Sequence, residues 1–167
     1  MKIHFKINRR LLDEIRADLS RPHPFAAERL GFIACKRSSG REELLILAHS
    51  YLTIPDDWYI EDPRYGCVFG PKAILHAMQF SKTNQASMFH VHLHDHRGLP
   101  WFSRTDLKES AQFVPDFWNV SALLPHGTLV LSRDRAAGLC WYPGHKTPHR
   151  IAKLSQVGWP MKELGRY

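Results

Sequence analysis

Between Ser87 and His94 the chain alternates strictly, with Phe89, Val91 and Leu93 interleaved with His90, His92 and His94. On a strand, successive side chains point to opposite faces. The segment therefore folds only as a half-buried strand, with an apolar face against a core and a row of imidazoles on the other face. A mid-chain tract of this kind is not an expression tag. A solvated loop or a generic chelating surface would not need three apolar residues behind its histidines.

Two imidazoles on one strand face can converge on one zinc ion at roughly 2.0–2.1 Å, with a carboxylate as third ligand and water in the fourth position. The downstream sequence offers the carboxylate. Gly98 and Pro100 make a turn, and Ser103 then stands three residues before Asp106 at the start of an apolar-periodic stretch. Each residue has an ordinary role there: Ser103 as N-cap and Asp106 as favourable charge at the positive end of the helix, together a near capping box. Following a His-x-His strand so closely, they also bring oxygen atoms back over the histidines.

The rest of the chain predicts an α+β domain whose sheet is mostly antiparallel, partly barrel-like and flanked by helices. Leu11, Leu12, Ile15 and Leu19 mark a helix over 9–19, ended by Pro22 and Pro24. Residues 28–35 read as a strand, and 43–54 as one or two more beyond the Ser38-Ser39-Gly40 turn, giving an antiparallel meander over 30–54. The aromatic-rich stretch 55–70 reads as a long ordered loop or edge segment. Pro71 opens a helix to about Thr83, Ser103 caps another to about Phe113, residues 127–142 form a hairpin turning at 134–138, and a last strand lies near 150–158.

One domain over 1–167 suffices for a chain of 167 residues with 44% apolar content. Neither an apolar run long enough for a membrane span nor a secretory signal is present, so membrane association is not expected. Cys35, Cys67 and Cys140 are odd in number and widely spaced, as in a reduced, cytoplasmic protein. The formal charge of +7 raises the question of nucleic acid, yet the basic residues are scattered and no nucleic-acid motif accompanies them. Nucleic acid is therefore not the expected partner, and an acidic protein partner explains the charge equally well.

His92-x-His94 followed by Ser103-x-x-Asp106 resembles the JAMM motif of the JAB/MPN zinc metalloproteases, in its bacterial JAB branch. Eight residues separate His94 from Ser103, one more than the family's commonest form, and the pair His90 and His92 fits the spacing less well. Glu28-Arg29-Leu30-Gly31-Phe32-Ile33 is similar to the family's upstream E-x-x-G strand, and His126 to Ser132 to its later strand. The likeness covers about 10–142 and leaves 143–167 as an unassigned extension. It implies an MPN/JAB-like, cytidine-deaminase-like three-layer fold and one Zn2+ per chain on His92, His94 and Asp106. Glu28 becomes the general acid/base and Ser103 the oxyanion donor, with His90 and His96 behind the ligands or toward the substrate. Trp58, Tyr59, Trp101 and Phe102 become expected walls of a substrate channel. The implied reaction is hydrolysis of a peptide or isopeptide bond after the C-terminal tail of a ubiquitin-like protein. That is precursor trimming or deconjugation in a bacterial ubiquitin-like pathway, such as one of antiviral defence, alongside conjugation-type enzymes.

Four rivals stand beside it. A catalytically inactive MPN-like scaffold or binding protein would keep the fold without the metal. The metallo-β-lactamase pattern is nearly spelled by His90 to His96, but its aspartate falls one position late. An amidohydrolase barrel also uses His-x-His, and this chain is too short to build one. A nucleic-acid module rests on charge alone.

Overall fold

The computed structural model describes residues Met1–Tyr167. The chain opens with a strand that the sequence reading does not anticipate, β1 (Lys2–Asn8), in which Ile3, Phe5 and Ile7 are buried and the residues between them are not. Asn8 ends the strand and caps α1 (Arg9–Leu19), its side chain accepting from the Leu11 N–H at 2.9 Å. Leu11, Leu12, Ile15 and Leu19 form the buried stripe of α1, as their spacing predicts. Each such side chain contributes about 1.5–3 kcal/mol on burial.

Two long strands follow, β2 (Leu30–Ser39) and β3 (Glu43–Thr53), paired antiparallel. Helix α2 (Pro71–Asn84), with Pro71 in its first turn, leads to the histidine strand β4 (Ser87–Leu93). Helix α3 (Arg104–Phe113) continues into a 3-10 turn, Val114–Asn119, and then β5 (His126–Leu131) and β6 (Ala136–Trp141). Gly138, expected in the turn, lies inside β6. The stretch 143–167 is built into the sheet as β7 (His149–Arg150), β8 (Lys153–Val157) and β9 (Lys162–Arg166).

All nine strands form one sheet in the order β7-β6-β5-β4-β2-β3-β1-β8-β9. The expectation of a mostly antiparallel sheet is corrected here: the sheet is mixed. β1 pairs parallel with both β3 and β8, and β4 pairs parallel with β5. Parallel neighbours need crossovers, supplied by α1 before β2 and by α3 with its 3-10 turn between β4 and β5. The sheet curls into a half-barrel. Ile151 N–H donates to Gly138 O on β6 and Ala152 N–H to Ile3 O on β1, so two consecutive residues join opposite arms of the sheet. The closure needs glycine at 165, where a Cβ would strike the Ala136 carbonyl.

One face of the sheet wraps around α1: Phe5, Ile33, Phe89, Val91, Leu129 and Ile151 share a core with Leu12 and Ile15. The opposite face carries a second core, with Phe32, Met88 and Phe117 packed against Ala73 and Ala77 of α2. Phe89 and Val91 thus turn to α1 while His90 and His92 turn the other way, as the alternation predicts. No helix is long and apolar enough to cross a membrane.

Candidate metal centre

β4 lies between β2 and β5, and its register with β2 assembles the site. Leu30 stands opposite His92 and Phe32 opposite His90. Extending that antiparallel register two residues beyond Leu30 brings Glu28 across from His94. Their side chains meet there, Glu28 Oε1 lying 4.0 Å from His94 Nε2. His94 has just left the strand but stays anchored, its N–H donating to Leu131 O at 2.9 Å.

The backbone around Glu28 is clamped. Arg29, only 3% exposed, donates to Arg21 O and Pro22 O at 2.8 Å each and to both carboxylate oxygens of Asp56 at 2.7 and 3.2 Å. Tyr59 Oη accepts from Leu30 N–H at 2.9 Å and donates to Leu30 O at 3.2 Å. Gly31 lies under the Tyr51 ring, where a Cβ would collide, and Tyr51 donates to Asp18 of α1 at 2.7 Å. The E-x-x-G segment is thus the meeting point of three elements.

From the other side, α3 delivers its first turn. Ser103 and Asp106 form the expected capping box: Asp106 Oδ2 accepts from Ser103 N–H at 2.7 Å and Ser103 Oγ from Asp106 N–H at 3.1 Å. The same Asp106 oxygen stands 3.6 Å from His92 Nε2, an ion-pair separation rather than a hydrogen bond. The loop carrying Ser103 is braced by the β5–β6 turn. Gly98, at φ 91°, donates to Asp134 and accepts from Ser132, while Arg133 Nε bonds Asp95 at 2.6 Å. Nothing in the sequence marks that turn as part of the site.

Glu28, His92 and His94 present donor atoms that all lie within 4.8 Å of one another. Asp106 flanks this trio on the His92 side. His92 is 2% exposed and both of its ring nitrogens are buried without a hydrogen-bond partner. An imidazole left this way fits a ligand position, since a coordinated metal would satisfy the nitrogen aimed at it. Burial, reinforced by His92, holds the His94 imidazole below the ordinary histidine range, which favours the neutral, ligating form. Burial pushes the Asp106 carboxyl up, but His92 and the hydrogen bonds from Ser103 outweigh it and hold the group well below the usual carboxylate range. Two imidazoles with carboxylates on either side form a donor set for a divalent transition metal.

The group opens into a cleft of about 580 Å³ between segment 62–69 and α3, floored by β4. His90 sits deeper along β4, its ring centroid 5.9 Å from that of His92. His96 lies outside the cleft, stacked on Trp101 at 5.1 Å. None of the four aromatic residues expected as channel walls lines the cleft. Tyr59 is buried at Leu30, Trp58 meets His76 edge-on, Trp101 is 66% exposed beside His96, and Phe102 packs toward Val114 and Trp141. The walls are instead Val68, Phe69, Ile74 and Phe113, together with Cys67, whose thiol is pushed up to about 12 by burial and the nearby Glu28. A signal for Phe113 exists in the sequence, because it falls two helical turns after Asp106 and so shares its face.

Neither a scan against models of known protein families nor a search of curated proteins finds a match to this chain.

Proposed function

We propose that the chain is a zinc-dependent hydrolase of peptide or isopeptide bonds, acting after the C-terminal tail of a ubiquitin-like protein to trim a precursor or undo a conjugate. One observation carries the reading: two imidazoles and two carboxylates gather at the end of a cleft, with a buried His92 whose ring nitrogens have no hydrogen-bond partner. The helices on the two sheet faces also suit the MPN-like three-layer arrangement that goes with this activity.

His92, His94 and Asp106 would hold the ion. Asp106 suits a ligand because the capping box fixes its carboxylate, whereas the Glu28 side chain is 40% exposed and its carboxylate stands beside His94 without a hydrogen bond to hold it. Zinc bound there would supply Lewis acidity and make a water molecule easier to deprotonate near neutral pH. Glu28 takes a proton from the attacking water and returns it to the departing amine as the amide C–N bond breaks. Ser103 Oγ already accepts from Asp106 N–H, so its own O–H is left to donate to the substrate carbonyl oxygen as negative charge develops. One such donor is often worth about 3–4 kcal/mol in the transition state.

The test pairs metal content with turnover. Untagged wild-type protein should carry close to one zinc per chain by elemental analysis, and Asp106→Ala should carry far less. A ubiquitin-like fusion should be cut by wild type and left intact by Glu28→Gln that still holds zinc. Wild type devoid of zinc after reconstitution would leave a scaffold built on the same fold. Activity surviving in Glu28→Gln would refute the assigned proton carrier.

A further inference from the structure

The inner end of the cleft holds more apolar surface than a bare extended backbone would need. Val68, Phe69, Ile74 and Phe113 line it and are each only partly buried, although Phe69 and Phe113 meet edge-to-face with centroids 6.0 Å apart. His90 lies between them at 5.7 and 5.2 Å and is itself 7% exposed. The wall is fixed rather than draped. Tyr59 bridges to Phe69, Gly70 N–H donates to Trp58 O at 2.7 Å, and Ile60 N–H donates to Val68 O at 2.8 Å. Partly exposed apolar groups held around a concave floor remain in contact with water until something apolar fills the space.

We infer that this floor is a side-chain subsite that selects a large apolar residue, aromatic or branched, directly flanking the scissile amide. The inference rests on the hydrolase reading for its link to catalysis. Continuity with the reaction centre identifies the occupant. The His90 ring that floors the subsite stands 5.9 Å from the His92 ring, within the length of one side chain from the bond to be cut. A single extended strand of glycines would leave this end of the 580 Å³ cleft empty. The substrate therefore carries glycine on at most one side of the cut and a bulky apolar residue on the other, which within the hydrolase reading selects trimming of a precursor over release of an isopeptide-linked lysine.

The experiment measures binding and cleavage separately. Capped pentapeptide amides with Gly, Leu or Phe at the position flanking a glycine are titrated calorimetrically into zinc-loaded Glu28→Gln protein, and their hydrolysis by wild type is followed in parallel. The Phe peptide should bind at least about tenfold more tightly than the Gly peptide, as burial of one apolar side chain dictates. Ile74→Trp, which fills the subsite from α2, should abolish the preference, so that the Phe and Gly peptides bind this variant equally. Phe113→Ala, which removes a wall instead of adding one, should narrow the same preference if the tryptophan variant does not fold. Equal affinity for Phe and Gly, no binding of any peptide, or a loss that strikes both peptides alike would overturn the subsite. Peptides bound in the expected order but never cut would refute the hydrolase reading and leave the subsite standing.

Discussion

Arg29 should position Glu28, the proton carrier of the proposed reaction, without touching it. Its guanidinium makes four hydrogen bonds, two to the Asp56 carboxylate and one each to Arg21 O and Pro22 O, from a side chain that is 2% exposed. Arg29→Met keeps the aliphatic stem and removes every donor. Breaking a buried pair by removing one partner costs roughly 3–5 kcal/mol when the other charge stays buried. Here Asp56 is 52% exposed and the two carbonyls belong to exposed residues, so all three acceptors can return to water. That discount leaves about 2–3 kcal/mol, mainly the net worth of the charge-assisted bonds. Urea unfolding followed by fluorescence should therefore show a lower midpoint at unchanged slope. The local consequence is sharper. The pin on residues 28–30 is lost while His92, His94 and Asp106 keep their own anchors, so zinc content should hold while kcat falls by about tenfold or more and KM stays nearly constant. A destabilisation below about 0.5 kcal/mol would refute the energetic argument. Parallel loss of zinc and turnover would refute the claim that Arg29 acts through Glu28.

Two further outcomes follow from the same geometry. Ser103→Ala removes the N-cap of α3 and the free hydroxyl together. It should cost about 1 kcal/mol of stability in urea and lower kcat about 10²- to 10³-fold, whereas Ser103→Thr should restore the first and part of the second. His126 is fully buried, accepts from Met88 N–H at 3.0 Å and is held down to about 4 by burial. Its folded pKa lies below the unfolded value near 6.5, so its contribution is complete above that value and is lost as pH falls toward about 4. Between about pH 7 and pH 5 the wild type should lose about 2 kcal/mol more than His126→Asn, whose amide oxygen can accept the same bond without titrating. Parallel pH profiles of the two proteins would exclude His126 as the source.

Local signals in the sequence carried some elements and not others. The stripe of α1, Pro71 at the head of α2 and the Ser103–Asp106 capping box are contained within a few residues, and each forms as expected. The alternation of Ile3, Phe5 and Ile7 is equally local and marks β1, but reading the chain start only for targeting signals passes over it. The parallel pairings were not legible at all. β1 joins β3 and β8 across some 40 and 150 residues through backbone bonds with no residue-level signature, so a meander implied antiparallel neighbours and left 143–167 unattached. The aromatic channel walls missed for a related reason. An aromatic-rich loop does not say which way its rings point, and Tyr59 is committed to both backbone groups of Leu30.

Charge shows how placement changes the meaning of composition. The chain carries +7 overall, which taken alone suits an anionic partner. Within the cleft the balance reverses. Glu28, Asp62, Asp106 and Glu109 all line it, and the one arginine there, Arg64, bonds Asp62 through both of its carboxylate oxygens. Carboxylates gathered in a concave, partly desolvated site focus a negative potential, which concentrates cations and repels a phosphate backbone. A divalent ion on His92, His94 and Asp106 would offset much of that charge and make the cleft habitable for a neutral peptide strand. The other lysines and arginines all lie outside the cleft, so the overall charge of +7 says nothing about what enters it.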